Sequence, residues 1–350
     1  MADAAVYVET VLGKKKSNQL GRTLTHEHLS LSFTAFYVPP PSQLQRFFND
    51  KIELESSGFL KQYPYSSFYN LTFDDQHTED AVLEDVKLYK EFGGGTIVEN
   101  SNHGLKRNIP FMKKVSEATG VNIIAGTGYY VSATQANKVL TKEHMYNVIL
   151  KEMTLGCEEC PDVKAGFIGE VGSTWPITPF EKRAIQATAE VQDQLKCPVS
   201  FHPGRDPAAP SEIIRIYQEA GGNTRKAILS HLDRTILNPE QLLEFADDTK
   251  CYCQFDLFGS ECSFYQLNPS VDMVSDAQRI DRIKHFRGNQ KLDRVLLSHD
   301  IHTKHRLIRF GGHGFSHILN NVIPKMTLKG FTAEEINTLT IHNPRTWLTS

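Results

Sequence analysis

The 350-residue sequence alternates short apolar segments with longer segments in which apolar residues recur at helical spacing. From Thr78 the alternation is regular. A helical pattern with Thr78 as its N-cap ends before three consecutive glycines, and a strand-like segment at residues 96–99 follows. Counting the segment that ends at His28, the pattern predicts eight strands. They are rich in Val, Ile and Leu, as expected for parallel strands covered on both faces.

Eight strand and helix units in one chain of this length predict an α/β fold, a (β/α)8 TIM barrel with insertions. The alternative is an open doubly wound sheet. No strand is followed by a Gly-x-Gly-x-x-Gly or Walker sequence, so a nucleotide-binding form of that alternative has no supporting motif. No linker or low-complexity run divides the chain, and we predict a single domain over residues 1–350.

Two segments lie outside the regular alternation. The first twenty residues predict an N-terminal capping hairpin with Val6, Val8 and Val11 as its apolar positions and residues 13–18 as its turn. Residues 29–78, after the first strand, form a long irregular insertion with many aromatic residues. A loop of this length in a compact domain is usually functional or contains short helices of its own. We expect either a lid over a site or an inert insertion.

Charge and hydropathy narrow the classes of partner. A net charge of −3 predicts no nucleic-acid partner, and the lack of any stretch approaching about 18 apolar residues predicts no membrane span. The first residues contain no apolar core of signal-peptide length, so we expect a cytoplasmic location and reduced thiols for the six cysteines. Cys157 and Cys160 have Cys-x-x-Cys spacing without a matching second pair, which favours a loop or helix end over a zinc or redox site.

The first strand ends in His26-Glu27-His28. Because side chains alternate faces along a strand, His26 and His28 point the same way and Glu27 points the opposite way. Two imidazoles about 7 Å apart on one strand face can bind one transition-metal ion. Four other strand ends each carry a single residue of a metal-ligand type, namely Glu170, His202, His231 and Asp300.

In a TIM barrel the carboxyl ends of the strands meet at one rim, where active sites lie. We therefore predict a metal site formed by six side chains from five strands: His26, His28, Glu170, His202, His231 and Asp300. A single catalytic zinc needs only about three protein ligands and an open position. The larger set suits two divalent ions about 3.5–4 Å apart that share a bridging carboxylate.

The predicted division gives each ion its own ligands, with His26, His28 and Asp300 on one and His202 and His231 on the other. Glu170 is the predicted bridge. Zinc is the expected metal, although Mn²⁺ or Co²⁺ accepts the same ligands. Two cations lower the pKa of a shared water and provide a hydroxide nucleophile, while Asp300 takes the proton and passes it to the leaving group. The predicted reaction is hydrolysis of an amide, ester or phosphoester, with Asp300 as the catalytic residue.

Six segments spread over nearly the whole chain carry a family resemblance: LTHEH at 24–28, FIGEVG at 167–172, FHPG at 201–204, SHLDR at 230–234, SHD at 298–300 and NPR at 343–345. The sequence resembles the amidohydrolase superfamily and, within it, the phosphotriesterase family. That resemblance implies a barrel with a binuclear metal centre and hydrolytic activity.

One departure from the family pattern bears on the substrate. The phosphotriesterases proper have a carboxylated lysine as the bridging ligand after the fourth strand, whereas this chain has Glu170, which needs no carbon dioxide. The departure weakens any expectation of organophosphate hydrolysis. The resemblance to the phosphotriesterase-related branch instead implies a small N-acyl amide substrate, N-acetyltaurine, cleaved to taurine and acetate. The alternatives are a lactonase or phosphotriesterase with the same metal pair, and a non-catalytic metal-binding barrel.

Arg205 and Tyr129 are the predicted substrate-binding residues. Arg205 lies in the loop after the fifth strand, where it either binds an acidic head group or pairs at the surface with Asp206 or Asp233. Tyr129 and its neighbour Tyr130 follow the third strand, and one of the two is expected to line the pocket.

Other polar residues near the strand ends are predicted to lie outside the ligand set. His299 should point away from the barrel axis if its strand is regular, so we exclude it as a ligand. Asp256 and Glu99 follow two further strands and are predicted to lie behind the ligands. The loop after the last strand contains four histidines that either shape the wall of the site or are solvated: His302, His305, His313 and His317. The expected partner is a small molecule, and a homodimer is left open.

Overall fold

Eight parallel strands form one sheet that is nearly closed into a barrel, with helices between successive strands. The structure, a computed structural model, describes residues 6–48, 51–263 and 265–349. The strands in chain order are β1 (Tyr7–Thr10), β2 (Gly13–Lys16), β3 (Arg22–Glu27), β4 (Leu31–Ser32), β5 (Thr72–Phe73), β6 (Gly94–Glu99), β7 (Asn122–Thr127), β8 (Phe167–Gly172), β9 (Val199–His202), β10 (Ala227–Leu229), β11 (Tyr252–Phe255) and β12 (Val295–Leu297).

The α-helices lie mainly on the outside of the sheet. In chain order they are α1 (Leu54–Gln62), α2 (Phe68–Leu71), α3 (Gln76–Glu91), α4 (Ile109–Thr119), α5 (Lys142–Thr154), α6 (Pro179–Leu195), α7 (Ala209–Glu219), α8 (Leu232–Thr235), α9 (Pro239–Thr249), α10 (Asp276–Gly288), α11 (Ile323–Leu328), α12 (Ala333–Asn337) and α13 (Asn343–Leu348). Among the described residues, every helix is too short or too polar to traverse a lipid bilayer.

The barrel sheet has the order β3, β6, β7, β8, β9, β10, β11, β12, and each neighbouring pair is parallel. The predicted TIM barrel is therefore confirmed. β8, β9, β10, β11 and β12 are buried along their whole lengths, because helices cover one side of the sheet and the packed barrel interior covers the other.

Hydrogen bonds at the carboxyl ends of β3 and β12 connect the two ends of the sheet. The backbone N–H of Asp300 donates to the His26 carbonyl at 3.1 Å, and the His26 N–H donates to Ser298 Oγ at 2.9 Å. Ser298 Oγ in turn donates to the Glu27 carboxylate at 2.7 Å. The closure of the barrel thus depends on the backbone of two predicted metal ligands and on residues adjacent to them.

The N-terminal hairpin is present, but its turn differs from the prediction. Residues 13–18 were expected as the turn, whereas Gly13–Lys16 forms β2 and pairs with β1 in antiparallel register. The chain turns at Val11 and Leu12, and Gly13 adopts a positive φ of 95° that a residue with a side chain rarely adopts. The lysine run that resembled a polar turn is an edge strand facing solvent.

The start of α3 and the start of the following strand, β6, also differ from the prediction. Asp75, not Thr78, is the N-cap, because its carboxylate accepts the Thr78 N–H at 2.9 Å. The first of the three glycines follows the helix, but Gly94 and Gly95 already belong to β6. A Cβ on Gly95 would lie 2.2 Å from the Leu20 carbonyl oxygen, so the glycine allows a close approach between neighbouring backbones.

The insertion after β3 folds over the carboxyl ends of the barrel strands. It contains the β4–β5 pair, α1 and α2, together with two short 3₁₀ helices. Phe33 and Tyr65 from this segment line a cavity at the strand ends. Their position favours the interpretation of the insertion as a lid.

An apolar cluster fills the opposite end of the barrel. Trp347 on α13 is fully buried and packs against Phe167 with ring centroids 5.7 Å apart, while its indole N–H donates to the Lys226 carbonyl at 3.1 Å. Val8 from the hairpin belongs to the same cluster. The sequence predicts final helices over residues 315–326 and 332–339, and the structure adds α13 as a further helix that closes this end.

Replacing Trp347 by alanine is expected to lower the free energy of unfolding by about 3–5 kcal/mol, because it leaves a large cavity at the closed end of the barrel. Urea denaturation followed by circular dichroism measures the change. The matched control is Trp175→Ala, since Trp175 is 41% exposed and its removal should cost less than about 0.5 kcal/mol. Equal, small losses for both variants would contradict this account of the core.

Candidate functional site: a histidine and carboxylate cluster

The structure brings all six predicted ligands together at the carboxyl ends of the barrel strands. They are His26, His28, Glu170, His202, His231 and Asp300, and each is buried. Among the described residues, three groups of potential ligand atoms are close enough to hold an ion. Two of them match the predicted division: His26, His28 and Asp300 in one, and Glu170, His202 and His231 in the other.

Glu170 spans the two groups. Its Oε1 lies 3.4 Å from His28 Nε2, whereas its Oε2 lies 2.9 Å from His202 Nδ1. The two oxygens of one carboxylate therefore face different histidines, as a bridging ligand requires.

The first group has the spacing of ligands around an ion rather than that of hydrogen-bonded partners. His26 Nε2 is 3.6 Å and His28 Nε2 is 3.3 Å from Asp300 Oδ1. Four ligand atoms placed tetrahedrally at about 2.1 Å from one ion lie about 3.4 Å from each other. His26 Nε2 is buried and has no hydrogen-bond partner among the described residues, and Glu170 Oε2 lies 3.5 Å away. A divalent cation would satisfy this nitrogen.

The second group is more closely packed. His231 Nε2 lies 2.8 Å from His202 Nδ1 and 3.6 Å from Glu170 Oε2. Two imidazole nitrogens and a carboxylate oxygen are ligands that zinc and similar ions accept. The residues present therefore fit two divalent ions. A third grouping, of His26, His231 and Asp256, is also within range, but Asp256 already accepts hydrogen bonds from the His231 ring and backbone.

Residues behind the ligands orient the imidazole rings, as the sequence predicted for Glu99 and Asp256. Ser101 Oγ donates to Glu99 at 2.7 Å, so its oxygen is available to accept from His28 Nδ1 at 3.0 Å. On the other side, Asp256 lies 2.7 Å from His231 Nδ1. Both contacts place the proton on Nδ1 and leave Nε2 directed toward the cluster.

The charges of the cluster depend on one another. Burial disfavours ionised carboxylates, but His26 and His202 hold the pKa of Glu170 well below its usual range. Burial also disfavours a charged imidazole, but Asp300 and Glu170 raise the pKa of His28 to about 10. Asp256 likewise outweighs burial and raises the pKa of His231 to about 10. Without an ion, protons therefore occupy part of the cluster.

Asp300 has a backbone conformation that is unusual for a residue with a side chain. Its φ is +55°, and three groups support this turn. The His26 carbonyl accepts the Asp300 N–H at 3.1 Å, and the Asp300 carbonyl accepts from Arg306 Nη1 at 2.5 Å and lies 2.7 Å from His302 Nδ1. Backbone strain of this kind persists where the surrounding structure over-determines it.

A narrow cavity lies over the cluster. Its wall contains Phe33 and Tyr65 from the insertion, Tyr130, Arg205 and Tyr265. It adjoins a larger cavity of about 630 Å³, with which it shares Tyr65, Ser260, His302 and Arg306. The chain thus provides both a small space at the ligands and a wider space beside it.

The structure places Tyr129 differently from the prediction. Consecutive side chains point in opposite directions at the end of a strand, and the Tyr129 ring lies against His103 at a centroid distance of 5.1 Å, in another cavity. Tyr130 is the one that faces the ligands, with its Oη 3.4 Å from His202 Nδ1.

Arg205 lines the cavity, and the structure gives it neither of the predicted surface partners. Its Nε donates to Tyr265 Oη at 3.0 Å, while Asp233 accepts from Arg279 at 2.7 Å. Arg234 lies nearby and also lines the cavity. Arg234, Tyr65 and Tyr265 also line the cavity and were not predicted from the sequence. Arg234 could have been identified from the sequence, because it follows His231 by three residues just as Arg205 follows His202.

His299 and the four histidines of the loop after the last strand lie beside the cluster without belonging to either group. His299 points away from it, lying 2.7 Å from Glu27 through Nδ1 and accepting from the Ile318 N–H at 3.0 Å. His302 lines the narrow cavity. His305, His313 and His317 line the larger one. Cys157 and Cys160 have free thiols, and backbone hydrogen bonding links the two residues in a loop.

The chain matches known proteins over nearly its full length. The model of the phosphotriesterase family matches residues 6–348. The phosphotriesterase-related protein of Aedes aegypti is 55% identical over 337 residues, which cover 94% of this chain and 94% of that protein. The phosphotriesterase-related protein of Drosophila persimilis is 50% identical over 344 residues, with 97% and 98% covered.

Solved structures have the same fold. A resiniferatoxin-binding protein from Rhodobacter sphaeroides superposes with a TM-score of 0.92 at 27% identity, covering 98% of this chain and 95% of that one. A phosphotriesterase homology protein from Escherichia coli superposes with a TM-score of 0.74 at 24% identity, covering 95% and 99%. The barrel, the ligand cluster and the full-length sequence matches lead to one assignment: this chain belongs to the phosphotriesterase family.

Proposed function

We propose that the protein is a hydrolase that uses two divalent metal ions, zinc in the first instance, to cleave the amide bond of small N-acyl amino acids or amino-sulfonates. N-acetyltaurine, cleaved to taurine and acetate, is the proposed representative substrate. The observation that carries the proposal is the Glu170 carboxylate, whose two oxygens face the two ligand groups beside the Asp300 carboxylate. A bridged pair of ions next to a proton-accepting carboxylate is an arrangement suited to hydrolysis.

The ions would polarise the amide carbonyl and lower the pKa of a water molecule. Asp300 performs the proton transfer. Its pKa lies well below the usual range, because His302 and His28 outweigh the effect of burial, so the carboxylate is ionised and can accept a proton from the attacking water. Asp300 then donates that proton to the amine nitrogen as the carbon–nitrogen bond breaks. The products are a carboxylate and a free amine.

Two aromatic side chains are placed to contact the substrate. Burial raises the pKa of Tyr130 well above its usual value, so its hydroxyl stays protonated and can donate a hydrogen bond to an acyl oxygen. Tyr65 Oη lies 3.2 Å from His302 Nε2 in the wall of the cavity. Together with Phe33, these two tyrosines limit the amount of water and the size of the acyl chain that the cavity can admit.

The alternatives from the same family are a lactonase and a phosphotriesterase with the same ligand set. Purified protein should be assayed in parallel on N-acetyltaurine, an aliphatic lactone and an aryl phosphotriester. Turnover of the phosphotriester alone would reject the proposed substrate class. Stoichiometric metal without hydrolysis of any acyl compound would favour a non-catalytic metal-binding barrel.

We expect Asp300→Asn to lower kcat for amide hydrolysis by at least about 100-fold, since general acid–base catalysis contributes about 10²–10⁴-fold. Release of the free amine, followed by mass spectrometry, measures the rate. The matched control is Asp293→Asn, because Asp293 precedes the same strand at the other end of the barrel and its side chain is 67% exposed. Similar rates for the two variants would exclude Asp300 as the proton carrier.

The purified protein should contain about two divalent ions per chain by inductively coupled plasma mass spectrometry. Binding should weaken as the pH falls, because the pKa values of about 10 for His28 and His231 mean that an arriving ion must displace protons. Each displaced proton changes the affinity by about tenfold per pH unit. A competition titration with a chelator between pH 6 and 8 tests this dependence, and an affinity that is constant with pH would contradict it.

A further inference from the structure

We propose that Arg205 and Arg234 form a two-arginine anion site that makes a negative charge on the amine part of the substrate a requirement for productive binding. That the bond cleaved is an amide rests on the proposed function. The anion site itself rests on a separate observation, the charges of the side chains in the cavity wall. Tyr265 is the shared contact, with its ring 5.3 Å from Arg205 Cζ and 5.5 Å from Arg234 Cζ.

Neither guanidinium forms an ion pair with a carboxylate of the described residues. Arg234 is only 3% exposed, and its side-chain hydrogen bonds go to neutral acceptors, Thr235 Oγ1 at 3.2 Å and the Pro203 carbonyl at 3.4 Å. Arg205 is half-buried and donates to Tyr265 Oη. Burying a cation without a counter-charge is costly, and an anionic ligand would remove that cost.

Two other arginines whose guanidiniums are buried are neutralised by carboxylates. Arg279 pairs with Asp233 at 2.7 Å and with Asp276 at 2.9 Å. Arg107 pairs with Glu152 at 2.8 Å and with Glu159 at 2.6 Å.

Arg306 is also buried without a carboxylate partner among the described residues, but its guanidinium donates to the backbone carbonyls of Asp300 and His299. Arg205 and Arg234 have neither a carboxylate partner nor as many hydrogen bonds as Arg306, so their positive charge is the least compensated in the cavity wall.

Tyr265 can offset only part of the charge. Burial alone would raise the pKa of its hydroxyl, but Arg205 and Arg234 outweigh burial and hold that pKa below its usual value. Even a fully ionised phenolate carries one negative charge, while the two guanidiniums carry two positive charges. The part of the cavity wall formed by Arg205 and Arg234 therefore keeps a positive charge.

The position of the two arginines connects the anion site to the ligand cluster. Each follows a candidate metal ligand by three residues, in His202-Pro-Gly-Arg205 and in His231-Leu-Asp-Arg234. Both side chains line the same narrow cavity as Glu170. An acid group held by the arginines therefore leaves the rest of a small substrate beside the cluster.

The chemistry of the site selects a class of substrate. Guanidinium N–H groups bind the oxygens of carboxylates, sulfonates and phosphonates through charge-assisted hydrogen bonds. The substrates that fit are short N-acyl amines whose amine part ends in one of these acids. Neutral N-acyl amines of the same size lack the group that the arginines bind.

The test compares substrates that differ in charge but hardly in shape. N-acetyltaurine and N-(2-methylsulfonylethyl)acetamide share the scissile amide and a tetrahedral sulfur, and only the first is an anion. We expect kcat/KM for the sulfone to be lower by about 100-fold, mainly through KM. N-acetyl-β-alanine, assayed in parallel, shows whether a carboxylate or a sulfonate is preferred, and discrimination against the sulfone relative to either acid supports the site.

Arg205→Met and Arg234→Met should each reduce the ratio of kcat/KM between N-acetyltaurine and the sulfone by at least about tenfold. The matched control is Arg215→Met, because Arg215 lies exposed on α7 and pairs with Glu212 at 2.7 Å. Thermal melts establish that the variants are folded. An equal ratio in wild type and in both cavity variants would overturn the anion site.

The outcomes separate this inference from the proposed function. If both substrates are hydrolysed with a ratio near one, amide hydrolysis stands and the anion site is rejected. If neither is hydrolysed, the proposed function fails, and binding of methanesulfonate measured by calorimetry decides the anion site on its own. Binding that is weakened in Arg234→Met supports the site, and no binding to the wild-type protein rejects it.

Discussion

The buried carboxylate of Glu27 is the interaction on which the site most depends. It lies between two candidate ligands in sequence but points away from them, and it accepts from Ser298 Oγ at 2.7 Å and from the backbone N–H groups of His299 at 2.8 Å and Ile301 at 3.0 Å. Burial alone would raise its pKa, but His299 and these hydrogen bonds hold the pKa below its usual value. One carboxylate thus helps to close the barrel and fixes the two residues that flank Asp300.

Much of the site could be predicted from the sequence, because its main features depend on local geometry. The alternation of side chains along β3 determines that His26 and His28 share a side. The barrel topology then brings the ends of β8, β9 and β12 to the same rim, whatever the details of their packing. Each candidate ligand lies within three residues of the carboxyl end of its strand, and a strand end is a position that sequence patterns locate well.

The features that could not be predicted depend on contacts between distant segments. Tyr65 and Tyr265 reach the cavity from loops whose paths are determined by packing, and no periodic pattern locates them. Tyr129 and Tyr130 are adjacent, so an error of one residue in the end of β7 reverses which of them faces the ligands. The wrong turn in the hairpin has a similar cause, since the composition of residues 13–16 resembles a polar turn while its pairing with β1 makes it a strand.

The distribution of charge in the cavity has a consequence for how a substrate is oriented. An acid group is itself a good ligand for zinc and similar ions, so an acidic N-acyl amine faces two competing positions for its carboxylate or sulfonate. Glu170 and Asp300 already supply negative charge at the ligand cluster, whereas Arg205 and Arg234 have no carboxylate partner among the described residues. In the proposed reaction the acid group therefore has a more favourable electrostatic interaction with the arginines than with the ligand cluster. That preference leaves the neutral amide, which is the group to be cleaved, beside Asp300.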